Sequence, residues 1–109
     1  MDNCFTYTYR RLRASGLDIP TQWENWSIKD MRTFIKEYKW FLENKKHYQF
    51  FESFCEYVDT AKADDIVVDD GCIGIAINKF KYMTIREKGG QAKMYDITKN
   101  HKILRVTNG

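Results

Sequence analysis

The chain has 109 residues, of which 43% are hydrophobic and 16% aromatic, with one proline and a net charge of +3. This composition describes one ordered globular domain with a single core, and it excludes the dense basic stripe of a nucleic-acid-binding surface. No run reaches the roughly 18 apolar residues a membrane span needs, and Met1-Asp2 opens no signal peptide, so synthesis in the cytosol is expected.

The first element is a helix opened by Cys4. Phe5, Tyr9 and Leu12 recur at helical spacing, and Gly16 stands where a helix stops. A thiol at a helix N-terminus meets unpaired backbone N–H groups and the positive end of the helix dipole, both of which favour thiolate. Cys4 is therefore a candidate nucleophile; the plainer reading is a small apolar residue near a chain end. Arg10, Arg11 and Arg13 form a solvated face of this helix.

Residues 21–26 connect onward and contain Trp23 and Trp26. Ser27 reads as an N-cap with Asp30 three residues on, and Ile28, Met31, Ile35, Tyr38 and Leu42 predict a second helix over 28–42, its apolar face broadened by Phe34, Trp40 and Phe41. From His47 to Val58, one stripe of Tyr48, Phe51, Cys55 and Val58 and another of Phe50, Phe54 and Tyr57 predict a third helix. His47 would face solvent and Cys55 would lie in the core.

Beyond Asp64 the period changes. Ile66-Val67-Val68 is β-branched, Asp69-Asp70-Gly71 is a turn signal, and Cys72 to Ile77 alternates with period two. Ile73, Ile75 and Ile77 share one face, while Cys72, Gly74 and Ala76 share the other. So small a face suggests the close approach of a helix. Asn78-Lys79 and Gly89-Gly90 turn the chain into strands over 80–86 and 91–97, and a last strand spans 101–106.

These elements predict a single domain over 1–109, with a helical half, 1–62, and a sheet half, 63–109. The expected fold class is α+β: N-terminal helices packed on a C-terminal antiparallel sheet of about five strands. Cys4, Cys55 and Cys72 are odd in number and widely spaced, so they make neither a disulfide framework nor a CxxC knuckle. No cofactor is expected, and no spacing calls for a metal site built from these cysteines with His47 or His101.

Two stretches together resemble the NlpC/P60 domains, papain-like cysteine peptidases that cleave peptide bonds in bacterial cell walls. In that family an Asp-Cys pair opens the nucleophile helix and a Gly-hydrophobic-x-hydrophobic-Pro segment follows, as Gly16-Leu17-Asp18-Ile19-Pro20 follows Cys4 here. Ala63 to Val68 is similar to the family's Pro-Gly-Asp-hydrophobic strand entry, and Cys72-Ile73-Gly74-Ile75-Ala76-Ile77 to its His-hydrophobic-Gly-hydrophobic strand. The stretch from Phe80 to Val106 is similar to the short, meandering ends of phage-encoded relatives. The resemblance implies a compact papain-like fold with Cys4 as nucleophile, position 72 facing it as the histidine position, and the third polar residue near Thr84.

This chain departs from the pattern at Cys72, where the histidine would stand, and at Asn3, where aspartate is usual. A thiol with a reference pKa of about 8.5 is a poor proton acceptor at neutral pH. The expected function is accordingly that of a catalytically degenerate NlpC/P60-type protein, a structural or binding component of a phage tail or virion. Its partners would be other virion or tail proteins, or peptidoglycan peptide, and not nucleic acid. One alternative is an active cysteine peptidase or amidase using Cys4 with His47, His101 or the α-amino group of Met1 as base. A second is a small cytosolic protein binding a host factor through Trp23, Trp26 and Trp40. Facing thiols at Cys4 and Cys72 would also allow a disulfide, which a cytosolic origin disfavours as a stable bond.

Overall fold

The computed structural model describes residues 4–16, 47–52, 54–69, 72–86 and 90–107. The predicted helix over 28–42, the three tryptophans, Asn3 and residues 17–20 lie outside them, and so does the side chain of His47.

Helix α1 spans Cys4–Ala14. Cys4, Phe5, Thr8, Tyr9 and Leu12 are buried, an i, i+1, i+4, i+5, i+8 stripe facing the sheet, while Arg10 and Arg11 are exposed. Phe5 and Leu12 are 0% exposed, and burial of such a side chain contributes about 1.5–3 kcal/mol. The helix ends as its sequence dictates. The Ser15 hydroxyl donates to Leu12 O at 2.5 Å, the Gly16 N–H donates to Arg13 O at 3.2 Å, and Gly16 takes the left-handed φ of 81° that glycine tolerates best.

The third predicted helix is only partly formed. Helix α2 covers His47–Glu52, and the chain then enters strand β1, Cys55–Val58. The apolar stripe at helical spacing was compatible with either state, because Cys55-Glu56-Tyr57-Val58 also has the aromatic and β-branched content of a strand. Pairing decides the matter. β1 lies antiparallel to β6, Lys102–Val106, with Cys55 opposite Val106 and Val58 opposite Ile103, and Phe54 O accepts the Thr107 N–H at 3.1 Å.

The remaining strands are β2 (Ile66–Asp69), β3 (Cys72–Ala76), β4 (Lys81–Thr84) and β5 (Lys93–Asp96). Together with β1 and β6 they form one antiparallel sheet in the order β1-β6-β2-β3-β4-β5. The expected fold class is therefore corrected. The described residues are mostly β, with the short helices α1 and α2 and one sheet of six strands, in place of N-terminal helices packed on a sheet of about five. Only β2 to β5 form the expected meander; the last strand returns to insert between β1 and β2. Ile103 and Leu104, adjacent in sequence and therefore on opposite faces, are 4% and 0% exposed, and an interior position buries both. Among the described residues, no helix is long and apolar enough to cross a membrane.

Each face of the sheet has its own core. Ile66, Val68, Ile73, Ile75 and Leu104 pack with Phe5, Tyr9 and Leu12 of α1 and with Phe51 of α2. On the other face Val67, Ala76, Tyr82 and Ile103 pack with Ala61. The helix thus covers the isoleucine face of β3, and the small face is filled by the Tyr82 ring from the neighbouring strand. A Cβ at Gly74 would lie 2.6 Å from both Met83 O and a Tyr82 ring carbon, so glycine is required for that close approach. On this second face Asp65, 2% exposed, receives a forked ion pair from Arg105, with Nη2 to Oδ2 at 2.8 Å and Nε to Oδ1 at 3.0 Å.

Candidate functional site

Helix α1 lies across β3, which brings the first residue of the helix to the first residue of the strand. Cys72 packs there against the core cluster that contains Cys4, and both are free thiols. Cys4 is 8% exposed, whereas Cys72, at the end of the sheet, is only half-buried. Thr84, the last residue of β4, completes the cluster with its hydroxyl oxygen 3.7 Å from the Cys72 sulfur. All three residues singled out in the sequence, Cys4, Cys72 and Thr84, therefore converge.

The proton inventory of this cluster is tight. Thr84 has one hydroxyl hydrogen, and at 2.5 Å Ile73 O is its nearer acceptor, so Thr84 meets the neutral Cys72 thiol as an acceptor. If Cys72 ionises, rotation of the hydroxyl turns that hydrogen toward the sulfur.

The two thiols titrate as a pair. The hydrogen bond from Cys4 lowers the Cys72 thiol below the ordinary range; Thr84 and the Arg86 charge act in the same direction, and burial and Asp69 act against it. The same bond, followed by burial and by the neighbouring Cys72 charge, raises Cys4 well above the ordinary range, although the Ile73 and Phe5 amides favour its anion. The pair therefore gives up its first proton more readily than its second. The third cysteine stands apart on β1, where burial and the charge of Asp65 push its thiol up to about 12.

Two further residues act on Cys72 that the sequence motifs did not single out. Asp69 lies directly opposite Cys72 in the β2–β3 register, and Arg86 follows β4, with Nη2 3.5 Å from Asp69 Oδ2 and 3.1 Å from the Tyr82 hydroxyl. The Arg86 guanidinium also lies over the Tyr95 ring at 4.0 Å, which fixes its charge near the strand end. The signal for Asp69 was present in the Asp69-Asp70-Gly71-Cys72 turn, since a two-residue turn places its flanking residues opposite one another.

His101 is placed elsewhere. Its Nδ1 accepts the Thr98 N–H at 2.9 Å, its ring meets Tyr82 edge-on, and its Nε2 lies 3.5 Å from Asp69 Oδ2. Among the described side chains, Cys4 faces sulfur and backbone amides and no imidazole. No group of three or more metal-ligating side chains is gathered among the described residues. No family model, curated protein or solved structure matches the chain.

Proposed function

We propose that this chain is a catalytically retired relative of the NlpC/P60 cysteine peptidases that serves as a structural or binding component, in the setting of a phage tail or virion. The observation that carries the reading is the pairing of Cys4, at a helix N-terminus, with Cys72, at the strand position where the resemblance calls for histidine. Thiol hydrolysis needs a group that takes the nucleophile's proton and later delivers it to the leaving amine. Here the neighbour is a second thiol, and its hydrogen bond together with burial raises Cys4 above the ordinary range, which works against forming the attacking thiolate. At 8% exposure Cys4 also gives a substrate carbonyl little room to approach. The virion setting rests on the likeness of the sequence from Phe80 to Val106 to phage-encoded relatives.

The test is incubation of the purified protein with murein peptides beside its Cys4→Ala variant. Equal, background-level release of products is expected from both. Release that depends on Cys4 would overturn the reading in favour of an active cysteine peptidase or amidase.

A further inference from the structure

We propose that Cys4 and Cys72 form a redox modification site, a dithiol that closes to a disulfide by exchange with a small soluble disulfide of the glutathione class. The inference holds whatever the ancestry of the site, because it uses only the two facing sulfurs and their surroundings. Both thiols are free and meet at one core cluster, Cys4 from α1 and Cys72 from β3, two elements already packed together. The two sulfurs differ in access, as an entry residue and a resolving residue should. Cys72 is half-buried at the sheet end with the Arg86 charge nearby, while Cys4 lies behind it at 8% exposure.

The exchange proceeds in two displacements. The Cys72 thiolate attacks one sulfur of the small disulfide, forming a mixed disulfide and expelling one small thiolate, which takes up a proton. With Cys72 now in the mixed disulfide and no longer an anion, Cys4 gives up its proton to water and attacks the Cys72 sulfur. The protein disulfide forms, the mixed disulfide breaks, and the second small thiolate leaves and is protonated. Two protein thiols are oxidised to one disulfide while one small disulfide is reduced to two thiols, so atoms and electrons balance. Thr84 assists the first step by turning its hydroxyl toward the Cys72 anion, and Cys55, remote on β1 with its thiol pushed up to about 12, stays out of the exchange. The product would tie the start of α1 to the start of β3 and close a long loop of chain, so the folded state gains stability when the surroundings become oxidising.

The experiment incubates the reduced full-length protein with oxidised glutathione, blocks remaining thiols with an alkylating agent, and maps the products by peptide mass spectrometry. The expected product lacks two hydrogens, links the Cys4 and Cys72 peptides, carries the alkyl block on Cys55 alone, and melts about 10 °C or more above the reduced protein. The Cys55→Ser variant should form the same link. Cys4→Ser should stop at a glutathione adduct on Cys72. A lasting glutathione adduct on Cys72 of the unmodified chain, adducts spread over all three cysteines without a link, or a link that includes Cys55 would each overturn the proposal. The unmodified chain and Cys55→Ser decide the outcome even if a serine at position 4 prevents folding. Murein cleavage is not among the readouts, so this proposal and the one on catalysis fail separately.

Discussion

The sulfur of Cys72 lies 3.7 Å from the hydroxyl oxygen of Thr84, which itself donates to Ile73 O at 2.5 Å. The hydroxyl therefore joins the end of β4 to the start of β3 and can serve either protonation state of the thiol. Removing it while keeping the side-chain shape separates these roles. In Thr84→Val the Cys72 thiolate loses a donor, and the rate of its alkylation at about pH 5, below the lowered thiol pKa of about 6, should fall roughly threefold to tenfold, the effect of one hydrogen bond of about 1 kcal/mol. Site-resolved mass spectrometry of iodoacetamide labelling reads this directly. In the unmodified protein the same measurement should give the order Cys72 faster than Cys55 and Cys4, since only Cys72 is lowered. An unchanged Cys72 rate in Thr84→Val would remove threonine from the account.

Cys55 yields a stability prediction with a definite sign. Its thiol is raised from 9.0 to about 12 in the folded chain, so between those values the native state holds a proton that the unfolded state has lost. The contribution is complete below about pH 9, and it declines as pH rises toward 12. Urea midpoints of the unmodified chain and of Cys55→Ala should therefore converge over that window, beyond any change shared by both proteins. A constant difference would show that Cys55 does not titrate in this way.

The approach of Tyr82 to β3 leaves no room for a methyl group at position 74. In Gly74→Ala the new Cβ would fall 2.6 Å from Met83 O and 2.9 Å from Thr84 Cβ, and the backbone oxygen cannot move without opening the β3–β4 ladder. Overpacking of this kind costs about 1–3 kcal/mol. Denaturant unfolding should show the loss with an unchanged m-value, and because Thr84 is displaced, Cys72 labelling should change as well.

How far these features could be read from the sequence depends on the range of the interactions that fix them. Helix α1 is set locally, by the Phe5, Tyr9 and Leu12 spacing and by the Gly16 stop, and both were legible. The Asp69-Asp70-Gly71 signal in the sequence predicts a hairpin, and β2 and β3 do pair antiparallel with Asp69 opposite Cys72. Cys4, Cys72 and Thr84 were singled out on a resemblance and are brought together in the structure. What misled the reading is non-local. Cys55–Val58 becomes strand because Ile103 to Val106, some 50 residues downstream, pair with it, and no pattern within the segment announces that partner. The insertion of β6 between β1 and β2 is likewise invisible to a reading by neighbouring turns. The small face of β3 was recognised correctly as a site of close approach, but the occupant was the Tyr82 ring, because a cross-strand aromatic fills the same space as a helix.

The Asp65–Arg105 ion pair is a second long-range feature, joining the entry to β2 with β6. Asp65 Oδ2 also accepts the Lys62 N–H at 2.9 Å, and Arg105 Nη2 donates to Thr60 O at 3.1 Å, so the pair organises the turn that precedes β2. Arg105→Ala strands a carboxylate that is 2% exposed with only part of its partners left, a cost of about 3 kcal/mol. Arg105→Lys keeps the charge but loses the forked geometry and should fall between the two in urea midpoint. A lysine variant as unstable as the alanine would assign the stability to the guanidinium hydrogen bonds alone.

Placing histidine at position 72 is the sharpest trial of the proposed retired site. In Cys72→His the thiol opposite Cys4 is replaced by an imidazole whose unperturbed pKa of about 6.5 lets it accept the Cys4 proton. The resulting imidazolium would stabilise the thiolate at the helix N-terminus, where the Ile73 and Phe5 amides already favour an anion. Thr84 and Asp69 would be available to orient the ring, since both flank position 72 on adjacent strands. Labelling of Cys4 at about pH 6 should then rise by at least tenfold over the unmodified protein, because its proton is no longer held by a sulfur pair. The added bulk at a half-buried position should cost some stability, so circular dichroism must accompany the assay. If the folded variant leaves Cys4 as slow as before, the thiol is held protonated by burial and not by Cys72, and the arrangement is no relic of a cysteine–histidine site.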